Sequence, residues 1–112
     1  MINPKSFYDH LSKHSNFITG VPDSLLKEFN ACVLNEHPQN QHIIAPNEGT
    51  SVGLAIGNYI STGKVPTVYM QNSGIGNAIN PLMSLADKDV YGAPMVVIIG
   101  WRGQPGVKDE PQ

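Results

Sequence analysis

One cysteine in 112 residues leaves no partner for an internal disulfide and no pair for a CxxC metal or redox motif. Cys32 falls inside an amphipathic helical pattern, so packing is its expected role and the cytoplasm the expected compartment. No apolar run approaches the roughly 20 residues of a membrane span. Met1 to Phe17 lacks a basic stretch followed by an apolar one, so no secretory leader is expected. Charge is scarce as well: 14% of residues, with a net charge of -2, gives no electrostatic footprint for nucleic acid or an acidic membrane. GxGxxG does not follow the first strand, and no GxxxxGK phosphate loop occurs. No metal site is expected: His10 and His14 have i,i+4 spacing, but on a polar amino-terminal helix that reads as a solvated face. The length suits one domain with a modest core.

The emptiest stretch is the informative one. From Gly49 to Ala86 the only formally charged residue is Lys64, so Glu48 stands in neutral surroundings. An acid so placed must be neutralised, paired or used. Residues 45–60 read as a strand end, a sharp turn with Asn47 as N-cap, and a helix carrying Glu48 in its first turn. Gly49, Gly53 and Gly57 fall on one face of that helix, at about 1 kcal/mol each relative to Ala. Such a face admits another backbone or a flat ligand, or makes a tight intramolecular contact; both readings bury the helix.

Strands and helices alternate along the chain. Pro4 opens a short helix with Phe7, Tyr8, Leu11 and His14 on one face. Residues 16–21 form a buried strand, and Pro22-Asp23-Ser24 opens a helix whose stripe is Leu25, Leu26, Phe29, Cys32 and Val33. Residues 42–45 make the second strand, and Gly63 ends the helix that follows it. Residues 65–71 are the third strand, with Pro66 near its start. After the Gly-containing turn 72–77, helical residues resume by Ala78, and Pro81 either kinks this helix or begins its regular part. Residues 93–100 are almost uniformly apolar, which predicts a strand buried on both faces. The last dozen residues look like a loop. This order predicts an α/β fold, a mostly parallel sheet with helices on both faces.

Ligands in such sheets sit beyond the carboxyl ends of the strands. That selects Gly20-Val21-Pro22-Asp23, Asn47-Glu48-Gly49, Gln71-Asn72-Ser73-Gly74 and Trp101-Arg102-Gly103. Ser73-Gly74-Ile75-Gly76 either cradles an anion or makes the turn.

The segments Gly20 to Leu26, Asn47 to Gly49, Tyr69 to Ala78, Ile99 to Gly103 and Lys108 to Gln112 resemble phosphonopyruvate decarboxylases. More widely they resemble the pyrimidine-binding domain of thiamine diphosphate enzymes, with sulfopyruvate decarboxylase as a near relative. The resemblance implies thiamine diphosphate as cofactor and Glu48 as the carboxylate that hydrogen-bonds its aminopyrimidine ring, with Asn72, Ser73 and Gly74 nearby. It implies decarboxylation of phosphonopyruvate to phosphonoacetaldehyde and carbon dioxide, this chain supplying the Glu48 half-site. A phosphonate needs cations, and Arg102 or Lys108 is expected to bind it unless Asp109 and Glu110 pair with them. Asp23 either contacts substrate or caps its helix.

In this family magnesium and the diphosphate belong to a second domain marked by Gly-Asp-Gly, which residues 1–112 lack. The chain is therefore expected to be the amino-terminal part of the pyrimidine-binding domain, truncated after the fourth strand and inactive alone. A homo-oligomer or a complementary diphosphate-binding subunit would complete the site, and would give the glycine face its partner. Two other readings are a small subunit of sulfopyruvate decarboxylase and a non-catalytic α/β interaction module.

Overall fold

The computed structural model describes residues 1–110. Strands and helices alternate: α1 Pro4–Leu11, β1 Ile18–Gly20, α2 Lys27–Glu36, β2 His42–Ile44, α3 Glu48–Thr62, β3 Thr67–Gln71, α4 Ile75–Met83 and β4 Val96–Gly100. Single 3-10 turns at Ser24–Leu26, Gln39–Gln41 and Asn72–Gly74 lead into α2, β2 and α4. Local chemistry sets the helix ends. Asn3 Oδ1 accepts the Ser6 N–H at 2.9 Å ahead of Pro4, and Asn47 Oδ1 accepts the Thr50 N–H at 2.8 Å. A cap of this kind stabilises by about 1 kcal/mol. α3 stops at Gly63, whose φ of 70° is a left-handed conformation that glycine adopts without strain.

The four strands form one parallel sheet in the order β2-β1-β3-β4. Alternation along β3 divides the core. Val68 and Met70 meet Val52, Ala55 and Ile56 of α3 and Ala78 of α4 on one face. Tyr69 meets Tyr8 and Leu11 of α1 and Phe29 and Val33 of α2 on the other. Helices therefore cover both faces, as the alternating pattern predicts.

Tyr69 also crosses the sheet. Gly20 pairs with it in register, and a Cβ on Gly20 would lie 2.1 Å from the Tyr69 carbonyl oxygen and 2.6 Å from its ring Cγ. Beyond β1, the Tyr69 hydroxyl meets His42 Nε2 on β2 at 2.9 Å. Burial pushes the Tyr69 hydroxyl up to about 12. Burial, and secondarily the charge on His37, lowers His42 from its ordinary 6.5. The unfolded chain releases the tyrosine proton first, so Tyr69 makes stability fall as pH rises from about 10 towards 12. The unfolded chain takes up the histidine proton first, so His42 makes stability fall as pH drops through 6.5. Tyr69→Phe is expected to make the alkaline limb shallower, Tyr8 retaining a share because burial raises it too. Urea unfolding followed against pH checks this; an unchanged alkaline slope would assign it elsewhere.

Four expectations are corrected. β4 is not buried on both faces: as an outer strand it leaves Val96 37% and Ile99 42% exposed, while Val97 and Ile98 pack inward. Leu25 leaves the α2 stripe because the 3-10 turn before α2 has a tighter period than the helix, and it is 43% exposed. His14 lies beyond the end of α1 and is exposed. α4 starts at Ile75, directly after the 3-10 turn, and Pro81 lies inside it.

α3 is also less buried than its glycines suggested. Ser51, Val52, Ala55 and Ile56 face the core, whereas Gly57 and Ile60 are exposed.

Candidate functional site

The loops after the strands gather at the carboxyl end of the sheet, and Glu48 opens α3 there. Its side chain is held by α4 and the turn before it. Glu48 Oε2 accepts the Asn77 Nδ2–H at 2.9 Å. A Cβ on Gly74 would stand 2.4 Å from Glu48 Oε1 and 2.5 Å from Cδ, so the carboxylate lies in the space that a side chain on residue 74 would take. Among the described residues no Lys, Arg or His forms an ion pair with Glu48. The acid is half-buried, oriented by a neutral donor, and not neutralised by its own fold.

Asn77 reaches α3 a second time through its carbonyl oxygen, which a Cβ on Gly49 would meet at 2.7 Å. Pro81, four residues on, has no N–H to offer that carbonyl. Gly49 is thus explained by a tight intramolecular contact. Gly53 and Gly57 are not, since a Cβ on either would meet nothing within 4 Å.

A second cluster lies at the ends of β1, β3 and β4. Asn72 and the Arg102 backbone are joined both ways: Asn72 Nδ2 donates to the Arg102 carbonyl at 2.9 Å, and the Arg102 N–H donates to Asn72 Oδ1 at 3.0 Å. The Arg102 guanidinium donates to Asp109 Oδ1 at 3.2 Å, with Glu110 and Asp23 also within ion-pair range. Of the two expectations for Arg102, the pairing with Asp109 and Glu110 is the arrangement present here. Lys108 in the same segment is exposed. Asp23 occupies the N-cap position of its 3-10 turn but makes no capping bond there; its carboxylate turns inward instead. Ser73 is exposed and accepts a bond from Gln71 at 2.6 Å. Ser73-Gly74-Ile75-Gly76 makes the turn into α4, with Gly74 under the Glu48 carboxylate.

Reasoning from sequence missed Asn77 and Ser24, and placed Gln71 at a strand end without its bond to Arg102. Each sat among ordinary turn residues, and their partners lie 29 to 78 positions away.

A parallel sheet with an oriented, uncompensated acid at its carboxyl end is the frame of a cofactor-binding α/β domain. Residues 5–112 match the family described as thiamine pyrophosphate enzyme, N-terminal TPP binding domain, and the chain belongs to that family. It is 39% identical over 95 residues to phosphonopyruvate decarboxylase of Streptomyces viridochromogenes, an alignment covering 85% of this chain and 23% of that protein. It is also 39% identical over 88 residues to sulfopyruvate decarboxylase subunit alpha of Methanococcus maripaludis, covering 79% of this chain and 50% of the relative. The chain thus spans between about a quarter and a half of the curated relatives it matches. Benzoylformate decarboxylase from Polynucleobacter necessarius superposes with a TM-score of 0.74 at 23% identity, over 99% of this chain and 20% of that one, a likeness of fold.

The residues present fit the pyrimidine half of thiamine diphosphate. Glu48 would offer its carboxylate to a ring nitrogen, and Gly74 carries no side chain beside it. Among the described residues no helix is long and apolar enough to cross a membrane.

Proposed function

We propose that this chain, residues 1–112, is part of the pyrimidine-binding domain of a thiamine diphosphate-dependent 2-oxo acid decarboxylase acting in the cytoplasm. The reaction assigned is phosphonopyruvate to phosphonoacetaldehyde and carbon dioxide. The observation that carries this is Glu48: a half-buried carboxylate at the carboxyl end of the sheet, aimed by Asn77 and unopposed by any cation among the described residues.

When bound, the cofactor supplies the carbon nucleophile and the electron sink for loss of carbon dioxide. The chain's own part is proton management. Asn77 engages Oε2, which leaves Oε1, the oxygen over Gly74, as the atom of Glu48 that would hold a proton towards the ring nitrogen. Lys108 and the Ser73 hydroxyl are assigned to the substrate's anionic group. Asn72 closes the site from the Arg102 side, and Asp23 stands at the end of β1. The diphosphate and magnesium fall to a diphosphate-binding domain or subunit beyond these residues. A partner chain placing that domain against α3 accounts for the open face at Gly53 and Gly57.

Sulfopyruvate is the second reading, favoured by the larger share of the sulfopyruvate decarboxylase alpha subunits that the chain covers. Carbon dioxide release from each acid, by the chain together with its diphosphate-binding domain or subunit, separates the two. Consumption of neither would overturn the assignment in favour of a non-catalytic module.

Gly74→Ala tests the carboxylate's placement. The added methyl meets a flexible side chain rather than backbone, so Glu48 moves and the fold holds. Stability is expected to change by less than about 1 kcal/mol, while kcat falls about 10²-fold, as for other small misplacements of a reacting group. Full activity in this variant would show that Glu48 need not lie where it does.

A further inference from the structure

Arg102 is met from three segments of the chain. Nε donates to Gln71 Oε1 at 3.1 Å, Nη1 to Asp109 Oδ1 at 3.2 Å and Nη2 to Ser24 Oγ at 2.5 Å. Asp23 Oδ1 stands 4.0 Å from Nη2, and Glu110 Oε2 stands 3.8 Å from Nη1. Three carboxylates around one guanidinium leave the cluster negative, a poor place for a doubly charged substrate group.

Asp23 is the most enclosed of these acids, with 2% of its side chain exposed. Its Oδ2 is buried without a hydrogen-bond partner among the described residues. A Cβ on Gly100 would lie 2.2 Å from that oxygen, so the bare end of β4 is what gives the carboxylate room. Buried carboxylates are ordinarily paired and fully hydrogen-bonded. Here one oxygen faces the guanidinium and the other has no protein donor, at the end of the sheet where ligands bind.

We propose that Arg102 is a positioning residue: it fixes the buried Asp23 carboxylate at the carboxyl ends of β1 and β4, its second oxygen left for the reacting 2-oxo acid. The guanidinium therefore does not hold the substrate's phosphonate or sulfonate. The Asn72 clasp on the Arg102 backbone serves the same end, tying the Arg102 anchor to the turn that carries Gly74 and meets Glu48. This inference rests on the decarboxylase reading given above.

The test is steady-state decarboxylation by the complete enzyme bearing Arg102→Met or Arg102→Lys. Losing the guanidinium removes the group that holds Asp23 without removing a substrate contact. Arg102→Met is thus expected to lower kcat about 10²-fold, with KM for the 2-oxo acid moving less than about threefold. Arg102→Lys, keeping the charge but not the planar fork, is expected to recover part of that kcat. A KM raised about tenfold or more at unchanged kcat would overturn the proposal, because that is the signature of a lost substrate contact. Unchanged kcat and KM would overturn it equally. Should circular dichroism show Arg102→Met unfolded, the lysine variant decides on the same criterion: lowered kcat at constant KM supports positioning, and the reverse refutes it. Glu48→Gln in the same assay keeps the two readings apart. Full activity there removes the cofactor assignment itself, whereas an inactive Glu48→Gln beside a KM-only effect at Arg102 removes this inference alone.

Discussion

Glu48→Gln, assayed with the diphosphate-binding domain or subunit in place, is expected to lower kcat by about 10²–10⁴-fold, the range for loss of a positioned acid–base group. Gln keeps the shape of Glu and retains an oxygen that can accept the Asn77 amide bond, so the fold has little reason to respond. What the amide lacks is an oxygen able to exchange a proton with a ring nitrogen. The expected pattern is therefore near-complete loss of carbon dioxide release with an unfolding midpoint close to wild type. Undiminished turnover would remove Glu48 from the chemistry.

Gly20→Ala is expected to have the largest effect on stability, a loss of about 3 kcal/mol from overpacking. The new methyl would stand 2.1 Å from the Tyr69 carbonyl oxygen and also strike the Tyr69 ring, so relief requires β1 and β3 to separate. That separation strains the bond from the β1–α2 connection, Val21 N–H to the Tyr69 carbonyl, and the reach of Tyr69 to His42. Against a total stability of about 5–15 kcal/mol for a domain, this is a severe change. Denaturant titration measures it, and a loss under about 0.5 kcal/mol would mean that the strands yield more easily than their spacing indicates.

Local signals were legible. Asn47 before Glu48 and Gly63 after Thr62 bracket α3 because capping depends on the few residues at each helix end. The solitude of Glu48 was legible for another reason: charges are discrete, and their absence over a long stretch is visible without a structure. What escaped depended on neighbours distant in sequence. The composition of β4 suggests a doubly covered strand, but apolar residues do not reveal whether anything lies beside them. Arg102 reads as a substrate cation or a partner of Asp109 and Glu110, and only the fold brings Ser24, 78 positions earlier, and Asp23 to it. Leu25 was misplaced by a change of helical period too short to show as a pattern.

Asn77 grips α3 at two points, with its amide on Glu48 and its carbonyl against Gly49. The aim of the acid is consequently set by the neighbouring helix as much as by its own. If α4 slides along its axis, both grips travel together and the carboxylate swivels with them, like a nib held in a two-jawed chuck.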